Sequence, residues 1–236
     1  MLKNSLTPVL ICAAILFAPK CYSQVPAIQE ELQGVVADLL AKKKTGCDWY
    51  AEVKRTTNTW LERDQASRGP LMMLYKDAAD RKESIDLVKE KELKAAANAV
   101  DKQLQAELDD LVRRCGWPTT SGFGDNAPIY AAFIIQHGTL EYQLKYLPVM
   151  RAAVDLAELP SRFLGQLDDR IRMRQGKPQL YGTQIVAGKK PNELELWQIE
   201  DEEHVDERRA KIGMIPVSLC AYIGMFQPPV KHARCQ

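Results

Sequence analysis

Few residues of this chain join a reactive or strongly hydrogen-bonding side chain to an apolar setting, and the clearest of them is His137. It ends the run Ala127 to His137, three and four residues after Ile134 and Phe133, and Gly138 follows it. Helical spacing puts the imidazole on the face of those apolar residues, in a last turn where the helix dipole favours the protonated ring. A histidine held there is suited to general acid or base work. The competing reading is a core histidine tied to a carbonyl or carboxylate. Gln136 precedes it, Arg170 borders the stripe Phe163, Leu164, Leu167 and Ile171, and Tyr181 and Gln184 belong to the segment Gln179 to Gln184. Arg209, with Asp206, lies on a charged segment at a position that turns inward with Val205. Polar groups in apolar surroundings must find partners or serve a ligand. In the first case they form a buried polar cluster. In the second, His137 is the acid or base, Arg170 or Arg209 holds an anionic group, and Tyr181 with Gln184 orients substrate.

Other constellations are weaker. Asp201 and His204 are three apart, but among Glu-rich neighbours they read as a solvated face. His232-x-x-Cys235 lacks a matching second half, so no metal site is expected. Gly122 and Gly124 before a helix start match no phosphate-loop spacing, and a turn capped by Asp125 or Asn126 is the simpler reading. Asp64 and Arg68 are four apart and read as an exposed ion pair. No serine-hydrolase, metalloprotease or cofactor motif occurs, and no cofactor is expected.

The elements that must position these residues are mostly helical. Apolar residues recur at helical spacing from Pro26 to Lys44, and again from Asp48 to Arg68, where Gly69-Pro70 is read as a stop. The segment 71–115 reads as one long helix or two broken near Asn98 to Asp101, with Lys and Glu on its outer face. Further helices are expected over 127–137, over 140–156 around Leu147-Pro148, from Pro160 to Gln175, and from Asp201 to Lys211. Gln179 to Val186 and Glu193 to Ile199 read as a β-hairpin, with Gln179, Tyr181 and Thr183 on one strand face. A last apolar segment, 216–226, is expected to dock on the core. The fold class is mainly α: a single multi-helix domain with a small β-hairpin near residues 179–199, in which 24–115 packs with 116–236.

Residues 1–23 have a different character. Lys3, a short apolar run and Cys21-Tyr22-Ser23 follow the order of a cleaved signal peptide, with the cut after Ser23. The expected location is periplasmic or secreted, with no integral membrane segment after cleavage. Without those residues the chain has 30 basic and 31 acidic side chains, since Lys3 and Lys20 leave and no acid does. That balance disfavours nucleic acid as a partner, and the actual partners stay unknown. Four cysteines remain, Cys47, Cys115, Cys220 and Cys235, enough for two disulfides in any of three pairings.

Taken in order, Asp64-Gln65-x-x-Arg68, Gly116-Trp117-Pro118-Thr119, Gln136-His137, Leu147-Pro148, Asp169-Arg170, Gly176-x-Pro178-Gln179-x-Tyr181-Gly182-Thr183-Gln184 and Val205-Asp206-x-Arg208-Arg209 resemble a family of bacterial proteins known only as a domain of unknown function. The resemblance runs from about Leu61 to Tyr222. It implies a single helical domain, often exported, and brings no activity. That family usually has an acid soon after the histidine, whereas here Gly138-Thr139 follow and Glu141 is the first acid. The reading reached is an exported binding or structural module with a buried polar cluster. Its alternative is an envelope hydrolase using His137.

Overall fold

The computed structural model describes residues 50–81, 83–120, 126–188, 193–226 and 230–235. The segment 1–49, with the expected signal, the helix from Pro26 to Lys44 and Cys47, lies outside the described residues, as do Gly122 to Asp125. Seven α-helices and a small three-stranded sheet make up the described chain, so the fold is mainly α.

Helix α1, Tyr50–Arg81, runs antiparallel to α2, Leu87–Cys115, as the pairs Trp60 with Glu107, Arg68 with Asp101 and Tyr75 with Glu90 show. Gly69-Pro70 does not end α1. Pro70 is exposed, so the backbone bond it removes lies on the wet side, while packing against α2 continues to buried Ala78. Helix α2 is unbroken. Asp86 caps it by accepting from Val88 N and Lys89 N at 3.0 Å each, and its buried positions Ala97, Asp101, Leu104, Leu108, Leu111 and Cys115 recur at alternating steps of four and three. One acid thus interrupts an otherwise apolar seam.

Helix α3, Ala127–His137, is buried through Ala131, Ala132, Ile134 and Ile135. Asn126 occupies its N-cap position, but the side chain makes no capping bond there. Helices α4, Leu140–Asp155, and α5, Ser161–Arg174, complete the bundle, and α4 continues through Pro148. The main core contains Trp60, Leu104, Leu108, Trp117, Ile135, Met150 and Leu167. Gly138 joins α3 to α4 because of space: a Cβ there would lie 2.7 Å from Cδ1 of Tyr142.

A second, smaller core gathers Val205, Leu219, Ile223 and Val230. It lies under strands β1, Ile185–Ala187, and β2, Leu194–Leu196, which pair antiparallel, and β3, Val230–Lys231, parallel to β2. The hairpin is therefore shorter than expected. Residues 179–184 form one isolated bridge, Gln179 with Ile199, and otherwise bend around a carboxylate from α5 instead of extending as a strand. A 3-10 turn, Glu202–His204, leads into α6, Val205–Lys211, and α7, Leu219–Ile223, follows. Cys220 and Cys235 are joined by a disulfide with S–S 1.98 Å. Cys115 is also disulfide-bonded.

Candidate functional site

Where α1, α2 and α3 meet, four polar side chains converge. On α1, Thr57, Trp60 and Asp64 are buried at helical spacing, so Asp64 faces inward and only 2% of it is exposed. From α2, Asp101 enters through its place in the apolar seam. From the last turn of α3, His137 places Nδ1 2.8 Å from Asp64 Oδ1. Arg68 donates from Nε to Asp64 Oδ1 at 3.0 Å and from Nη2 to Asp101 Oδ1 at 2.5 Å. Gln65 donates to the second oxygen of Asp64 at 2.8 Å. The expected solvated Asp64–Arg68 pair is instead the centre of this buried cluster, because the face of α1 that carries Trp60 also carries Asp64.

The two carboxylates differ. Burial pushes the Asp64 carboxyl up, but the hydrogen bonds and positive charge of His137 and Arg68 outweigh it, holding Asp64 below its ordinary value of 3.8. At Asp101 burial prevails over Arg68 and His137, and its carboxyl is raised. Asp64, Asp101 and His137 bring potential metal-ligating atoms within 4.8 Å of one another. Arg68 already bridges both carboxylates, so a guanidinium supplies the positive charge there.

His137 opens onto a cleft of about 560 Å³. Asp101, Lys102, His137, Thr139 and Arg174 line it. Nε2 of His137 makes no hydrogen bond with any described residue, whereas Nδ1 is committed to Asp64. Two arginines of α5 hold the backbone around this histidine. Arg170 donates from Nη1 to the Gln136 carbonyl at 3.3 Å, and Arg174 from Nη1 to the Gly138 carbonyl at 2.5 Å. The Gln136 carbonyl also accepts from buried Gln143 at 2.8 Å, and the Gln136 side chain donates to the Gln166 carbonyl at 3.2 Å.

The remaining sequence candidates belong to a different network. The Asp169 carboxylate accepts from Leu180 N at 2.6 Å, Tyr181 N at 3.1 Å, Thr183 N at 3.0 Å and Thr183 Oγ1 at 2.9 Å. Burial pushes its carboxyl above 3.8 despite these donors. Gln179 closes the bend from inside, donating to the Gln184 carbonyl at 3.0 Å and accepting from Gln184 N at 2.7 Å. Gly182 sits at φ +70°, and a Cβ there would meet Leu219 Cδ1 at 2.5 Å. Arg209, 1% exposed, donates to the carbonyls of Val217 at 2.7 Å, Tyr181 at 2.7 Å and Pro216 at 2.6 Å. Its guanidinium also lies 4.8 Å from the Tyr222 ring centre. Asp206 accepts from Leu219 N at 2.7 Å. Tyr181 takes part through its backbone groups. The Gln184 side chain accepts from Arg170 Nε at 3.1 Å and so connects the two networks.

Of the candidates read from the sequence, only His137 lines the cleft, with Gln136 and Arg170 behind it. Gln184 joins them from the second network, while Tyr181, Asp206 and Arg209 lie away from the cleft lining. Asp64, Arg68, Asp101, Lys102 and Arg174 were not among those candidates. An acid inside the four-and-three seam of α2 was a usable signal for Asp101, and inward placement after Trp60 for Asp64. His204 bonds exposed Asp201 at 2.9 Å, away from this site.

No curated protein and no solved structure matches the chain. The family of unknown function DUF6624 matches residues 71–228, from the second half of α1 to the edge of β3 and including Asp101, His137 and Arg170. That match covers most of the sequence, and the chain belongs to this family.

Proposed function

We propose that the protein is an exported hydrolase-type enzyme in which His137, oriented by Asp64, is the acid–base group. One observation carries the reading: Nδ1 is anchored 2.8 Å from a buried carboxylate, while Nε2, on a ring that lines a cleft, bonds to none of the described residues. Asp64, kept ionised, accepts a hydrogen bond from Nδ1–H and so leaves the lone pair on Nε2. Nε2 can then take a proton from a water as its oxygen bonds to an electrophilic centre. The same proton passes to the leaving group as that bond breaks. Asp64 stabilises the imidazolium between the two steps. Thr139 lines the cleft as well, but its Oγ1 caps α4 by accepting from Tyr142 N at 3.2 Å, so water is the nucleophile assigned here.

A binding or structural module is the second reading, favoured by the closed bonding of Asp169, Gln179 and Arg209. Export is supported by the signal-like start and the Cys220–Cys235 disulfide. No helix among the described residues is long and apolar enough to cross a membrane. The mature chain then begins at Gln24, with 24–115 and 116–236 folding as one unit.

The test is turnover of a panel of carboxylic esters, amides and phosphoesters by the purified protein and by Asp64→Asn and His137→Gln. Turnover should fall about 10²- to 10⁴-fold in His137→Gln with the far-ultraviolet circular dichroism unchanged. Identical rates in wild type and His137→Gln would sink the acid–base assignment. Mass spectrometry of the exported protein checks the start at Gln24.

A further inference from the structure

The turn that carries His137 is surrounded by more cationic charge than the adjacent carboxylates neutralise. Arg170 and Arg174 grip the carbonyls on either side of His137, and Arg68 reaches the same place through Asp64. No bond of Arg170 goes to an acid: its partners are the Gln136 carbonyl and the Gln184 side chain. Burial, then the guanidiniums of Arg174 and Arg68, lower the Arg170 pKa to about 10, which leaves it charged at neutral pH. Lys102 lines the cleft beside Arg174 and His137 and forms no ion pair with a described residue. Around the site, Arg68, Lys102, Arg170 and Arg174 face Asp64 and Asp101, an excess of two positive charges. Asn98, Gln105 and Thr139 add neutral hydrogen-bonding groups to the lining.

We propose that the cleft recognises a phosphate monoester, its dianionic phosphoryl group lying between Lys102, Arg174 and His137, with Arg170 and Arg68 supplying positive potential from behind. The proposal rests on the acid–base reading for the identity of the site, and it concerns recognition rather than which bond is cut. A dianion matches the charge excess and offers several acceptor oxygens to converging donors. A single carboxylate balances half of that excess. A neutral ligand balances none.

Calorimetric titration of the purified, disulfide-intact protein at fixed ionic strength tests this with four probes: glycerol 3-phosphate, inorganic phosphate, acetate and glycerol. Glycerol 3-phosphate is expected to bind most tightly, to weaken steeply with added salt, and to raise the melting temperature. Arg174→Ala and Lys102→Ala, both at exposed positions, should each weaken it about tenfold. Acetate binding as tightly as glycerol 3-phosphate would overturn the dianion assignment. Inorganic phosphate binding as tightly would overturn the monoester in favour of free phosphate. Monoester affinity unchanged in both variants would overturn the placement. Asp64→Asn, which does not line the cleft and removes one negative charge behind it, separates the two proposals: monoester binding kept or tightened while turnover is lost supports both. Binding and turnover both kept removes the acid–base assignment and leaves the phosphate site standing.

Discussion

Two buried polar networks meet at Arg170, and they differ in what they leave unpaired. Asp169 directs its hydrogen bonds chiefly at main-chain groups of the bend at residues 180–183, and Arg209 ties that bend, through the Tyr181 carbonyl, to the carbonyls of Pro216 and Val217. At the meeting of α1, α2 and α3, Arg68 bridges Asp64 and Asp101, and His137 ends the network with one nitrogen fixed and the other unbonded among the described residues. A side chain that completes the hydrogen bonds of the backbone is architecture. One that ends at a cleft with capacity unused can act on something that enters. Buried polarity alone therefore does not mark a site, and where the network terminates does.

The largest effect should come from the closed network. Arg209→Ala empties a site where the side chain is 1% exposed, takes the donor from three carbonyls, and should destabilise the fold by about 3–5 kcal/mol in urea unfolding, with any activity lost only through unfolding. A loss as small as that of a surface variant would erase the distinction drawn between the networks. Gly182→Ala should cost about 1–3 kcal/mol, from positive φ and from the close approach of Leu219. At the open network, His137→Gln should cost at most about 1–2 kcal/mol, since Gln can still donate toward Asp64. Its effect on turnover should be far larger than its effect on stability. Lys102→Ala should change stability by less than about 0.5 kcal/mol.

Acid gives the subtlest contrast. Asp64 titrates below its unfolded value of 3.8 in the folded protein, so its stabilising contribution is complete above about pH 4 and disappears as pH falls through the lower folded value. Asp169 is raised above 3.8, so its ionised form carries a penalty above its folded value, relieved as pH falls through it. Unfolding curves across the acid range should show Asp64→Asn converging on wild type at low pH. The difference between wild type and Asp169→Asn should change in the opposite sense. Curves that move together would mean that the carboxylates share one environment.

Much of the helical framework was legible from periodicity, including the buried character of α3, the charged outer face of α2 and the change of character after Gly176. His137, Gln136, Arg170 and Gln184 stood out because each is polar within apolar surroundings. Asp64 did not, since an acid four residues before an arginine looks the same in sequence whether the helix face is wet or buried. Pro70 misled for a related reason: a proline stops a helix only where nothing else holds it, and α2 holds α1 beyond that point. The segment 179–184 has strand-forming residues, but Asp169 offers its backbone groups a carboxylate in place of a neighbouring strand.

Local rules follow from spacing along one chain, so helix faces, the glycine positions and the polar residues at odds with their surroundings are properties of the sequence alone. The partner of His137 is not such a property. Asp64 lies 73 residues away on another helix, and only the packing of α1 against α2 and α3 removes the water that would otherwise separate carboxylate from imidazole. The same packing decides that Arg209 is enclosed and that Arg174 faces a cleft, because burial belongs to surfaces brought together and not to residues in order.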